Sequence, residues 1–310
     1  MQYILSLEGG GTRSQAALLD MAGNPLHIRA STDVNTNFVA YDEARAAVWR
    51  AVSGVLDAAN VSGEHVTHFV SALIGPKFGP EVFGALIPHA TYHYYGERDV
   101  VFARAGLYRP HGVAVVAATG ATVFGVRADD GRQMSVGGWG TLLGDEGSAY
   151  AAGLLGLRAA VRAFERRLDI PTGLVEAVCE HFHVPLATFQ RDLVHLAYQK
   201  PLSRAEIAGF AAVVARLANA GDSAAARIMS KVAADLTALM LYVARTMFAP
   251  AETFDVAAAG GRLNAGEIIV APLRDALARE FPHARFTIGA EEPAVALGRL
   301  MLERLNVPTF

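Results

Sequence analysis

Apolar residues along the chain fall into two spacings. Tyr3-Ile4-Leu5-Ser6-Leu7 and Ala16-Ala17-Leu18-Leu19 are short runs on either side of Glu8-Gly9-Gly10-Gly11-Thr12-Arg13, which predicts a β-hairpin closed by a glycine-rich turn. A second turn at Ala22-Gly23-Asn24-Pro25 leads into a third strand over Leu26–Ala30. From Tyr41 to Ala59 the period changes: Ala44, Val48, Val52 and Leu56 recur every fourth residue, the stripe of an amphipathic helix. Phe69–Ile74 then reads as a buried strand ending at Gly75-Pro76. A β-β-β-α-β order implies a mixed sheet covered by helices.

The pattern restarts at Val113–Ala117, Thr122–Val126 and Gln133–Val136, three further strands. A helical stretch follows from Glu146, and further helices are predicted over Ile170–Phe182, Pro185–Tyr198, Arg204–Asn219 and Ser223–Met247. Phe254–Ala259 is a strand running into Gly260-Gly261, and Pro293–Leu305 a final helix. Two rounds of three strands followed by helices point to a duplicated α/β fold, with its boundary near Pro110-His111-Gly112.

Composition narrows the function. The 310 residues are 52% hydrophobic and 18% charged, with a net charge of −3, so a large core can be buried and no basic surface for nucleic acid is expected. One cysteine, Cys179, excludes a disulfide framework, a four-cysteine zinc site and an all-cysteine iron–sulfur cluster within one chain. Glu8 interrupts the first apolar run, and the longest uncharged stretch, Gly112–Val126, falls short of the ~20 residues a membrane helix needs. These features predict a cytoplasmic protein with no membrane partner, acting on a small molecule.

Several motifs are missing: no Gly-Lys-Ser/Thr, no His-Glu-x-x-His and no Gly-x-Ser-x-Gly occurs. The Gly9–Gly11 cluster is followed by a strand-like run, unlike a dinucleotide fingerprint. Cys179, His181 and His183 cannot all share one helical face, so they read as a helix end. What remains is three glycine-rich turns, each after a strand: Glu8–Ser14, Ala118–Ala121 and Ala259–Gly261. Unobstructed backbone N–H groups in such turns cradle phosphates. The densest signal is Gly137-Gly138-Trp139-Gly140-Thr141-Leu142-Leu143-Gly144-Asp145-Glu146-Gly147-Ser148. Its two acids can cap the helix they open, or accept hydrogen bonds from sugar hydroxyls while the tryptophan packs on C–H surface.

Glu8-Gly9-Gly10-Gly11-Thr12-Arg13-Ser14, Thr36-Asn37-Phe38, Ile207-Ala208-Gly209-Phe210, Ala259-Gly260-Gly261 and the Gly137–Tyr150 segment together resemble the N-acetylglucosamine kinases of the BadF/BadG-type ATPase family, within the superfamily of actin, hexokinase and chaperone ATPases. The resemblance spans essentially the whole chain. It implies two actin-like (ribonuclease H-like) domains, each a mixed five-stranded sheet with helices, and a cleft between them. The implied limits are 1–111, 112–290, and a C-terminal helix over 291–310 that packs back on the first domain. It further implies ATP and Mg²⁺ as cofactors, an amino sugar as substrate and a homodimer.

By the same resemblance Gly10, Gly11, Thr12 and Arg13 form the first phosphate loop and Thr119 with Gly120 the second, while Ala208, Gly260 and Gly261 lie along the adenosine. Asn37, Gly138, Trp139, Gly140 and Asp145 line the sugar pocket, and Glu8 holds metal-bound water. The family's catalytic aspartate stands twenty residues before the threonine of the second loop, which is Asp99 here, both base and sugar contact. Two departures stand out. Ala121 replaces a serine of the pattern Gly-Thr-Gly-Ser, and Val100-Val101-Phe102 are bulkier than the family's small residues. Phosphorylation of the 6-hydroxyl of N-acetylglucosamine is the implied reaction. Glucosamine or N-acetylmuramic acid phosphorylation, and a non-catalytic sugar or nucleotide sensor, are the alternatives.

Overall fold

The computed structural model describes residues 1–10, 13–32 and 34–306. They form two compact units, Met1–Pro110 with Thr287–Phe310, and His111–Phe286. In the first unit, β1 (Tyr3–Gly9), β2 (Arg13–Asp20) and β3 (Pro25–Thr32) make an antiparallel meander, followed by α1 (Tyr41–Ala59), β4 (Val66–Leu73), the short α2 (Pro80–Phe83), β5 (Thr91–Tyr94) and α3 (Glu97–Arg104). The sheet order is β3-β2-β1-β4-β5, with β4 parallel to both β1 and β5. Strand alternation splits the apolar residues between two faces. Leu5, Leu7, Ala16, Leu18 and Phe69 pack with Val48, Val52 and Val55 of α1. On the opposite face, Ile4, Ala17, Leu19 and Val70 pack with Val100 and Ala103 of α3.

The second unit repeats the plan. Its strands are β6 (Gly112–Ala117), β7 (Ala121–Val126) and β8 (Gln133–Gly137), then, after the helices, β9 (Asp255–Ala259) and β10 (Arg285–Ile288). Its helices are α4 (Ala149–Phe164), α5 (Leu174–Phe182), α6 (Phe189–Tyr198), α7 (Arg204–Asn219) and α8 (Ser223–Met247), with α9 (Glu267–Glu280) between β9 and β10. The order β10-β9-β6-β7-β8, with β6–β7 and β7–β8 antiparallel and β6–β9 parallel, matches the first sheet strand for strand. Small residues set the helix spacing: Gly153 of α4 meets the Ile207 backbone of α7, and Gly156 meets Val214 and Phe210. The last helix, α10 (Pro293–Leu305), returns to the first unit, where Leu297, Leu300 and Met301 are fully buried against β1, β2 and α3.

Thus the fold is α/β with two mixed five-stranded sheets, as the sequence implies. Helix α1 and helices α7, α8 and α10 coincide with the predicted limits. Three starts are corrected. Helix α4 begins at Ala149 rather than Glu146, because the Ser148 hydroxyl accepts the Ala151 N–H at 3.0 Å and fixes the N-terminus there. Helix α5 begins at Leu174 rather than Ile170, since Thr172 and Gly173 are tied to Asp222 instead. A 3-10 turn over Leu186–Thr188 precedes α6 and delays its start to Phe189. No helix among the described residues is long and apolar enough to cross a membrane.

Candidate active site

In the second unit the candidate residues gather around the turn joining β6 to β7. That turn is Ala118-Thr119-Gly120, closed by a hydrogen bond from the Ala118 N–H to the Gly120 carbonyl at 3.0 Å. The start of α4 is bound to it: Ala149 N–H donates to the Ala118 carbonyl at 2.9 Å and Tyr150 N–H to the Thr119 carbonyl at 3.2 Å. Gly260 approaches from the end of β9 with φ +125°, where a side chain would run into the Ala117 carbonyl. Only glycine suits that backbone and that approach. Gly261 opens a short 3-10 turn behind it.

The glycine/tryptophan segment is fastened to the same turn. Gly138 N–H donates to the Ala121 carbonyl at 2.8 Å, and Asp145 Oδ1 accepts the Ala121 N–H at 3.3 Å. Gly120 has no Cβ where Asp145 Oδ1 lies, 2.8 Å from an ideal Cβ position. Asp145 itself is a non-glycine residue at φ +63°, only 3% exposed. Both features cost free energy, which the surrounding contacts must offset. Part of the offset is Arg204, the first residue of α7, whose Nη2 lies 3.3 Å from Asp145 Oδ2. Trp139 is 74% exposed and Leu142 and Leu143 are also exposed, an apolar rim beside a buried carboxylate. Asp145 and Glu146 therefore do not cap α4; Ser148 does. Ala208 is buried on α7, one residue past the Ile207 backbone against which Gly153 packs.

In the first unit a second group forms at the C-terminal end of β1. Glu8 is next to last in that strand, and Gly10 N–H donates to the Arg13 carbonyl at 3.1 Å to close the hairpin turn. Gly11 and Thr12 lie outside the described residues. Burial, reinforced by the charge of Glu97, pushes the Glu8 carboxyl up to about 7, while Arg104 and Arg13 act in the opposite direction. Asn37 follows Asn35, whose side chain accepts the Asn37 N–H at 3.0 Å. Asp99 is the third residue of α3 and 7% exposed; its Oδ2 accepts the Gly96 N–H at 3.1 Å, as a helix cap does. Its Oδ1 lies 3.0 Å from Nη2 of Arg304 on α10.

Thr119, Gly120, Gly138, Asp145 and Gly260 are thus brought to one turn of the second unit, while Glu8, Gly10 and Arg13 share another in the first. Arg204 and Arg304 went unmarked by sequence reasoning. Each is one of two arginines on an amphipathic helix, with nothing local to connect it to a carboxylate far away in the chain. Among the described residues no group of three or more His, Cys, Asp or Glu could hold a metal. Cys179 is partly buried on α5, and His183 ends that helix in a left-handed conformation.

Residues 7–295 match the sequence profile of the BadF/BadG/BcrA/BcrD ATPase family. An N-acetylmuramic acid/N-acetylglucosamine kinase of Clostridium acetobutylicum is 24% identical over 280 residues, which cover 85% of this chain and 86% of the relative. An N-acetyl-D-glucosamine kinase of Dictyostelium discoideum is 23% identical over 320 aligned positions, 97% and 98% of the two chains. A solved structure from Porphyromonas gingivalis, named by inference an N-acetylglucosamine kinase, superposes with a TM-score of 0.73 at 17% identity. It covers 98% of this chain and 100% of that one, a likeness of fold.

Proposed function

We propose, from the premise that this chain belongs to the BadF/BadG/BcrA/BcrD ATPase family, that it is an amino-sugar kinase transferring the γ-phosphoryl group of ATP to the 6-hydroxyl of N-acetylglucosamine. The observation that carries this reading is the attachment of the glycine/tryptophan segment, through Gly138 and Asp145, to the Thr119-Gly120 turn. A backbone turn fit for phosphate oxygens and a carboxylate fit for hydroxyls lie side by side, which phosphoryl transfer to a sugar requires.

In this reading Gly10, Gly11, Thr12, Arg13, Thr119 and Gly120 bind phosphate. Ala208, Gly260 and Gly261 bind adenosine. Asn37, Gly138, Trp139, Gly140 and Asp145 bind the sugar, Asp145 through ring hydroxyls and Trp139 through its apolar face. Asp99 accepts the proton of the 6-hydroxyl as the oxygen–phosphorus bond forms. ADP leaves with the electrons of the broken bond. Mg²⁺ bound with ATP would neutralise charge on the phosphates. Glu8 would hold the waters of that ion: burial and Glu97 both disfavour its ionised carboxylate, and a cation would relieve both. The protein acts in the cytoplasm as a homodimer, with neither nucleic acid nor membrane as partner.

The Clostridium relative acts on N-acetylmuramic acid as well, so the acceptor is tested as a panel. ADP release is followed by a coupled assay with N-acetylglucosamine, glucosamine and N-acetylmuramic acid, with and without Mg²⁺. The expected result is sugar-dependent ADP release with N-acetylglucosamine in Mg²⁺, lost in chelator. ADP release unaltered by any sugar, or none at all, contradicts the reading.

A further inference from the structure

The carboxylate of Asp99 is held by more than its helix cap. A cap needs one oxygen, and Oδ2 meets that need through the Gly96 N–H. The other oxygen, Oδ1, lies 3.0 Å from Arg304 Nη2 and 3.5 Å from Arg98 Nη2. Arg98 is the neighbouring residue of α3. Arg304 comes from the last turn of α10, and its guanidinium also lies over the Tyr95 ring, 4.7 Å from Cζ to the centroid. Docking of α10 does not account for this contact, because Leu297, Leu300 and Met301 already fix that helix in the core. The ring of Tyr95 and the capped carboxylate instead hold the guanidinium from two sides.

We infer that Arg304 is a positioning residue for phosphoryl transfer, fixing the orientation of the Asp99 carboxylate toward the acceptor hydroxyl. The inference rests on Asp99 being the base, as proposed above. A carboxylate offers about four lone-pair directions. Gly96 takes one on Oδ2 and the guanidinium groups take Oδ1, which leaves a defined remaining direction for a hydroxyl donor. Ionisable groups that face Asp99 include Arg98 on its own helix, Tyr95 in the preceding segment and Arg304 on α10. Burial, with Asp99 adding to it, raises the Tyr95 phenol, so it stays neutral and the two arginines supply the positive charge.

The test compares kcat and KM at about pH 7.5, with ATP and N-acetylglucosamine, for the wild type, Arg304→Met and Arg304→Lys. Removing the guanidinium leaves the carboxylate misaligned and lowers kcat about tenfold. The KM for ATP and for N-acetylglucosamine stay within about twofold of wild type, and Arg304→Lys recovers most of the loss. Near-ultraviolet circular dichroism checks the fold, with Arg304→Gln replacing the methionine variant should that one not fold. A kcat equal to wild type, or a loss that appears in KM or that Arg304→Lys does not recover, overturns the inference while leaving the kinase reading intact. A wild type that phosphorylates no amino sugar defeats the kinase reading, and the role of Arg304 falls with it.

Discussion

Asp145 combines three features rarely found together: a left-handed backbone, near-complete burial and a negative charge. Each is unfavourable alone, and Ala121 N–H and Arg204 offset them only in part. Asp145→Ala is therefore expected to weaken N-acetylglucosamine binding by about 1.5–3 kcal/mol for each charge-assisted hydrogen bond lost, with ATP affinity little changed. Calorimetry with each ligand separately decides; unchanged sugar affinity assigns the residue to loop structure only. Glu8 gives a second expectation, with the opposite sign to most carboxylates. Its carboxyl sits at about 7 in the folded protein against an ordinary 4.5, so the folded state binds more protons than the unfolded one between those values. Stability from this group is full below pH 4.5 and is lost as pH rises through about 7. Glu8→Gln should accordingly raise the metal-free melting temperature at pH 8 and leave it unchanged at pH 4. An equal change at both pH values would show that charge is not the cause. Asp145 was legible in the sequence because glycines and an aromatic surround it. Arg204 was not, because its role depends on where the tip of α7 lands.

Among the elements, α3 and the β6–β7 turn carry the proposed chemistry. Asp99→Asn keeps the shape of the α3 N-terminus and a cap acceptor, yet its amide cannot take a proton. It is expected to lower kcat on the order of 10²–10⁴ with sugar affinity nearly intact. Near-native turnover would remove Asp99 from the base role and leave Glu97, two residues earlier, as the candidate. The turn is tested through Gly260, whose φ of +125° and approach to the Ala117 carbonyl leave no room for a methyl group. Gly260→Ala should cost about 1–3 kcal/mol in denaturant unfolding and raise the KM for ATP more than that for sugar. A variant as stable as wild type contradicts the assigned closeness of β9 to the turn. Long helices with a clean apolar period, α1, α7, α8 and α10, were readable to the residue. Elements that were not predicted have physical reasons to hide. Strand β5 is a four-residue edge strand of Thr-Tyr-His-Tyr, α3 is one short helix opening on charged residues, and α9 contains Pro272. None shows a long alternation or an uninterrupted helical stripe.

Over the whole chain, two sheets of the same strand order, the return of α10 to the first unit and the match of residues 7–295 to one ATPase family describe a single design. The duplication was visible as two rounds of strands followed by helices. Its closing feature, a last helix that rejoins the first unit, left no trace in local periodicity, because any amphipathic helix can pack on either sheet. Which carboxylates meet which arginines likewise follows from this topology and not from any motif. The central claim, transfer from ATP to the 6-hydroxyl of N-acetylglucosamine, is tested most directly by product structure. Incubation with ATP, Mg²⁺ and N-acetylglucosamine, followed by proton–phosphorus correlation NMR, should give one phosphomonoester coupled to the two C6 protons, formed in equal amount with ADP. ADP with inorganic phosphate alone, or a phosphomonoester on any other carbon, would contradict it.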